Sequence, residues 1–146
     1  MRELPRKLTA EELAELFESR TVLVERLAEI EDPLGRTDDL IAELSEEEKL
    51  EVLDAHPAIG QRVGLSQRSQ AEQGDEEDTV VLEELAQLNR AYEQKFGFRF
   101  VVFVNRRPRS EIVPILQERM ERSRDEELDT ALHELVAIAR DRWQRS

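Results

Sequence analysis

The chain has 146 residues, 34 acidic and 21 basic, for a formal net charge of −13. That length suits one domain with a sizeable core, and the acidic excess argues against nucleic-acid or anionic-membrane partners, which require surplus positive charge. With no cysteine and only two histidines, disulfides, thiolate catalysis and cysteine-ligated metals are excluded, a histidine-rich metal site is disfavoured, and a reducing cytoplasm is the expected setting.

The bases are 18 Arg and 3 Lys, a surface composition that suits a high-salt cytoplasm and equally a GC-rich genome. The apolar runs are too short to span a bilayer, and Met1-Arg2-Glu3-Leu4-Pro5 lacks the apolar core of a signal peptide.

In chain order, Thr9-Ala10-Glu11-Glu12 reads as a capping box, followed by the apolar stripe Leu13, Leu16 and Phe17. A second helical run carries Leu23, Leu27 and Ile30 and stops before the turn signal Asp32-Pro33-Leu34-Gly35. Thr37 is placed to cap a third, with Leu40, Ile41 and Leu44 facing inward. Ser45-Glu46-Glu47-Glu48 is another capping box, and Leu50 and Leu53 give the helix behind it a buried side.

That helix should stop near Ala55, because Pro57 pushes His56 out of the helical region. His56 then projects from a helix C-terminus, whose unpaired carbonyl groups favour the imidazolium form. A His-Pro pair taken alone is more simply a helix stop. The polar stretch that follows shifts the balance: if a helical turn opens near Ser66, then Ser69, Glu72 and Gln73 share one face.

From Gly60 to Asp78 the chain is polar, and the acidic cluster Asp75-Glu76-Glu77-Asp78 is placed to serve as the first turn of the next helix. Val81, Leu85, Leu88 and Tyr92 mark that helix, and Gly97 is its expected stop. Residues 98–104 read as the one strand-like stretch, by β-branched and aromatic content. With no evident partner strand, it is expected to run extended among helices with side-chain, water or ligand partners. Pro108 and Ser110 open a helix with Ile112, Ile115, Leu116 and Met120, and Ser123-Arg124-Asp125-Glu126 caps a long last one. The stripe Leu128, Leu132, Leu135 and Ala139 of that helix continues in register to Arg142, which either snorkels or points a fixed cation into a pocket. His133 lies off the stripe and is assigned no role.

Together these segments resemble the family of decarboxylases acting on 2-oxo-4-hydroxy-4-carboxy-5-ureidoimidazoline (OHCU). The matching stretches are Phe17-Glu18, Val24 to Ala28, His-Pro-x-x-Gly at His56 to Gly60 and Ser-x-x-Glu-Gln at Ser69 to Gln73. Further on come Leu88 to Phe98, Phe100 to Val104, and Ile-Ala-x-x-Arg at Ile138 to Arg142. Two departures stand out: Gly74-Asp75 where members often carry Ala-Gly, and Asn105-Arg106-Arg107-Pro108 where a glycine is common.

The resemblance implies an all-α, single-domain helical bundle over residues 1–146, with about seven or eight helices and one extended segment at 98–104. It also implies a cofactor-free, metal-free cytoplasmic carboxy-lyase, usually a homodimer, that turns OHCU into (S)-allantoin and CO2 in urate breakdown. His56 would be the catalytic acid/base, with Glu72 its partner. Substrate would lie against Pro57, Ser69, Gln70, Ala71 and Gln73. It would also meet the backbone of Val102, Phe103, Val104, Asn105 and Arg106, with Arg142 the nearby cation. The rival reading from another class is a non-enzymatic acidic helical interaction module, with His-Pro as a plain helix stop; a chirality-resolved OHCU assay separates the two.

Overall fold

The structure is a computed structural model and describes residues 3–56 and 79–145. Among the described residues there are seven helices: α1 (Ala10–Phe17), α2 (Val22–Leu27), α3 (Thr37–Glu43), α4 (Glu46–Asp54), α5 (Thr79–Phe96), α6 (Arg109–Arg119) and α7 (Arg124–Arg145). No strand occurs among them, and the all-α expectation holds. None of the described helices is long and apolar enough to cross a membrane. The contacts divide the chain into two compact units, Met1–His56 with Leu132–Ser146, and Pro57–Ala131.

In the first unit, local chemistry starts α1 and α4 where the sequence places their caps. The Thr9 hydroxyl accepts from Glu12 N–H at 3.1 Å while the Glu12 carboxylate accepts from Thr9 N–H at 3.0 Å, so two otherwise orphaned donors are satisfied reciprocally. Ser45 and Glu48 repeat the arrangement at 3.1 and 2.9 Å. α1 then buries Leu13, Leu16 and Phe17, and α2 buries Leu23, Val24 and Leu27. α1 packs on α2, and α2 packs on α3 and α4. Each such side chain contributes about 1.5–3 kcal/mol when fully buried. From Leu132 onward α7 adds Leu135, Val136, Ile138 and Ala139 to this core.

Two local expectations give way. The second helix ends at Leu27 and leaves Ile30 in a turn. Thr37 is the first helical residue of α3 and does not cap it; its buried hydroxyl donates to Pro33 O at 2.7 Å. A threonine that sinks into the core must find an acceptor, and the preceding turn supplies one.

In the second unit α5 packs against α6. α5 ends at Gly97, whose φ of 82° is left-handed and whose N–H donates to Glu93 O at 2.9 Å, the cap that glycine accepts without steric cost. The acidic cluster at 75–78 lies outside the described residues. α7 opens on the third capping box, with Ser123 N–H donating to Glu126 at 3.1 Å and Glu126 N–H to the Ser123 hydroxyl at 3.2 Å.

The Ser45 backbone donor holds the Glu48 carboxyl below the usual range, and the Ser123 donor does the same for Glu126. A carboxylate whose pKa is lowered on folding stabilises the fold above its ordinary pKa, and that contribution disappears as pH falls through the lowered value. NMR titration of both carboxyl groups is expected to show midpoints below the ordinary glutamate value, with fraying of α4 and α7 N-termini only in acid. Ordinary midpoints in the folded protein would contradict the capping assignment.

Candidate active site

α4 leads to His56. Its apolar side, Val52 and Leu53, is buried, and its last turn closes with Ala55 N–H on Glu51 O at 3.1 Å and His56 N–H on Leu53 O at 3.1 Å. The helix therefore stops at Asp54, with Ala55 as C-cap and half-buried His56 directly beyond it. Pro57 and Ser69, Gln70, Ala71, Glu72 and Gln73 lie outside the described residues.

The second unit holds the other predicted group. Residues 98–104 run extended with no ladder partner among the described residues. Phe98, Phe100, Val101, Val102 and Val104 are buried. A buried extended chain needs partners for its carbonyl groups, and arginines provide them. Arg119 Nη1 donates to Val101 O at 2.7 Å, while Arg107 donates from Nη2 to Phe103 O at 2.6 Å and from Nε to Val104 O at 2.9 Å.

Arg119 is itself held by a buried carboxylate. Glu127, with a fully buried side chain, accepts from Arg119 Nε at 2.7 Å and from Tyr92 O–H at 2.7 Å on the same oxygen, and from Arg122 at 3.1 Å on the other. Burial, seconded by the Glu127 hydrogen bond, pushes the Tyr92 phenol well up from its ordinary value, which favours the neutral hydroxyl as donor to the Glu127 carboxylate. The Tyr92 ring sits 5.2 Å from Phe100 and 5.9 Å from Phe98, and the Arg119 guanidinium lies 4.5 Å over the Phe100 ring. Desolvated guanidinium over an aromatic face is favourable. The extended segment is thus fastened through both its backbone and its aromatic side chains.

Beyond Val104 the chain reverses. Arg107 N–H donates to Val104 O at 3.0 Å, and the central residues Asn105 and Arg106 have φ of 51° and 63°. Positive φ at both positions is the signature of a type I′ turn, which favours Asn-Gly.

Arg142 is 2 % exposed, so it does not snorkel. Its Nη1 donates to Leu16 O at 2.7 Å and its Nη2 pairs with Glu18 at 3.1 Å. Of the predicted site residues that are described, Val102 through Arg106 are contiguous in the second unit, whereas His56 and Arg142 belong to the first.

In the sequence, Arg107, Arg119 and Glu127 carry no assigned role, Arg107 being noted only within the departure at 105–108, and Tyr92 is marked only by an apolar stripe and by the family stretch Leu88 to Phe98. One signal is present: Arg119 lies three residues beyond Leu116 on the buried face of α6, the same placement that marks Arg142. No comparable signal marks Arg107.

A family profile described as OHCU decarboxylase matches residues 2–144. The chain is 34% identical over 103 residues to a 2-oxo-4-hydroxy-4-carboxy-5-ureidoimidazoline decarboxylase of Halalkalicoccus jeotgali, covering 68% of this chain and 58% of that protein. It is 32% identical over 136 residues to the protein of that name in Haloferax volcanii, covering 86% and 80%. A crystal structure of OHCU decarboxylase in the presence of (S)-allantoin superposes with a TM-score of 0.69 at 25% identity, over 82% of this chain and 86% of the other. With a match that runs from the first helix through the last, the chain belongs to the OHCU decarboxylase family.

Proposed function

We propose that the chain catalyses cofactor-independent decarboxylation of OHCU to (S)-allantoin and CO2 in urate breakdown, as a cytoplasmic homodimer. The observation that carries this reading is the family match across residues 2–144, which takes in His56, Glu72 and the segment 102–106 together.

The chemistry explains why no added electron sink is required. When the carbon–carboxylate bond breaks and CO2 leaves, its electron pair forms a double bond to the neighbouring ureido-bearing carbon. The C=N pair of that carbon moves onto nitrogen, which takes a proton. The hydroxyl on the carbon that lost CO2 then gives up its proton and becomes a carbonyl, while the ureido-bearing carbon takes a proton and becomes the stereocentre. One proton is consumed net. The protein needs a donor on one face, an acceptor near the hydroxyl, and fixed polar groups for the ureido and ring-amide edges.

In this reading His56 and Glu72 share the proton transfers. Gln73 and the backbone of Val102 to Arg106 orient the polar edges, Pro57, Ser69, Gln70 and Ala71 line the pocket, and Arg142, held by Glu18, is the fixed cation. Delivery of the proton to one face yields the S product, whereas spontaneous decay yields racemate. Following the circular dichroism of freshly generated OHCU tests the function directly. Enzyme-dependent appearance of the S signal is expected, and a racemic product at the uncatalysed rate would refute the reading.

Glu72→Gln tests the acid/base partner. The amide keeps size and hydrogen-bonding reach but cannot accept a proton, so turnover is expected to fall on the order of 10²-fold or more at unchanged melting temperature. Wild-type turnover in this variant would remove Glu72 from the proton path.

A further inference from the structure

The turn at residues 104–107 holds two non-glycine residues in the left-handed region, Asn105 at φ 51° and Arg106 at φ 63°. Asparagine tolerates that region through its short polar side chain, but arginine has no such allowance, and its Cβ crowds the following carbonyl. A conformation of this kind persists only where its surroundings over-determine it. Here the surplus constraint comes from the next residue. Arg107 closes the turn through its own N–H to Val104 O at 3.0 Å, then folds its side chain back so that Nε reaches the same oxygen at 2.9 Å and Nη2 reaches Phe103 O at 2.6 Å. Three donors from one residue thus fasten two consecutive carbonyl groups.

We propose that Arg107 is a positioning residue, whose guanidinium holds the turn in a geometry that glycine would adopt unaided and so fixes the backbone from Val102 to Arg106. That this backbone faces substrate rests on the decarboxylase reading; the clasp itself does not. The consequence for binding follows from which groups are occupied. Arg107 and Arg119 take the carbonyl oxygens of Phe103, Val104 and Val101. Val104 O, with two donors on it, is fully occupied, and the Val101 and Phe103 oxygens are each already committed to a guanidinium, so the clasp fixes which acceptors this stretch can offer a bound molecule.

The test is a cycle in the full chain: wild type, Arg107→Ala, Arg106→Gly, and the double variant. If Arg107 compensates for left-handed backbone at position 106, its removal matters when that residue is arginine and matters little when it is glycine, because glycine meets no Cβ penalty. The protection factor of the residue-107 amide against hydrogen exchange is expected to drop about tenfold when Arg107→Ala is made in the wild-type background, and by no more than about twofold when it is made in the Arg106→Gly background. KM for OHCU should follow the same pattern with kcat little changed, as expected for lost uniform binding.

Equal losses in both backgrounds would overturn the proposal, since a side chain that touches substrate directly is not replaced by glycine one residue away. An amide protection unaffected by Arg107→Ala would overturn it as well. Arg107→Lys, which keeps the charge but not the planar fork, serves in the same cycle should the alanine variant fold poorly. If wild type fails to turn over OHCU, the functional reading fails alone, and the exchange measurement still decides the clasp.

Discussion

His56→Asn is expected to remove enzyme-accelerated formation of (S)-allantoin, with turnover lower by about 10²–10⁴-fold, the range of a positioned acid/base group. The fold should not notice. α4 is started by the Ser45–Glu48 box and anchored by buried Val52 and Leu53, and position 56 contributes to the helix end through its backbone N–H on Leu53 O, which asparagine retains. Asparagine also keeps donor and acceptor capacity but does not titrate near neutral pH. Loss of turnover at constant melting temperature therefore reports proton transfer and not structure. His133→Ala, at an exposed position on α7, is the control and should match wild type. A near-normal rate in His56→Asn would take the histidine out of the mechanism.

Glu127→Ala should produce the largest loss of stability. The carboxylate is fully buried between Arg119, itself nearly buried, and the Tyr92 hydroxyl, with Arg122 on its second oxygen. Deleting it leaves the Arg119 cation buried without its counter-charge, and breaking such a pair costs about 3–5 kcal/mol. That is a large fraction of the roughly 5–15 kcal/mol by which a typical domain is stable. Urea denaturation measures it. The double variant Arg119→Met with Glu127→Leu should cost less than Glu127→Ala, because it removes both desolvated charges and fills the space with apolar atoms. A single-variant cost below about 1 kcal/mol would show that the pair is solvated in the working protein. Because Arg119 also holds Val101 O, Glu127→Ala should loosen the extended segment before the rest of the second unit, visible as faster amide exchange at residues 98–104.

Features whose partners lie within a few residues are legible in the chain alone. Thr9 with Glu12, Ser45 with Glu48 and Ser123 with Glu126 form capping boxes at the expected places, because a cap is a contact between residues three apart and needs nothing from the rest of the chain. Gly97 in the left-handed region at the end of α5 is legible for the same reason. So is the extended course of 98–104 without a ladder among the described residues: it is the one strand-like stretch in a chain of helical periods, and the carbonyl groups of Val101, Phe103 and Val104 go to arginine side chains. The family signature is likewise a matter of order and spacing along the chain.

Which charges are buried, and what they hold, follows only from tertiary packing. Tyr92 and Glu127 are 35 residues apart, Arg119 and Val101 are 18, and Arg142 and Leu16 are 126. In a chain with 34 acidic and 21 basic residues, local pattern cannot select the few that meet in the core, since an exposed ion pair and a buried one look alike in sequence. Thr37 shows the same limit in miniature. Its position before an apolar run reads as a cap, and only the packing that sinks it into the core turns its hydroxyl toward Pro33 O. Arg107 is the subtler case: its partners are three and four residues away, yet its role depends on left-handed backbone at Arg106, a conformation that arginine adopts only when the surrounding fold enforces it.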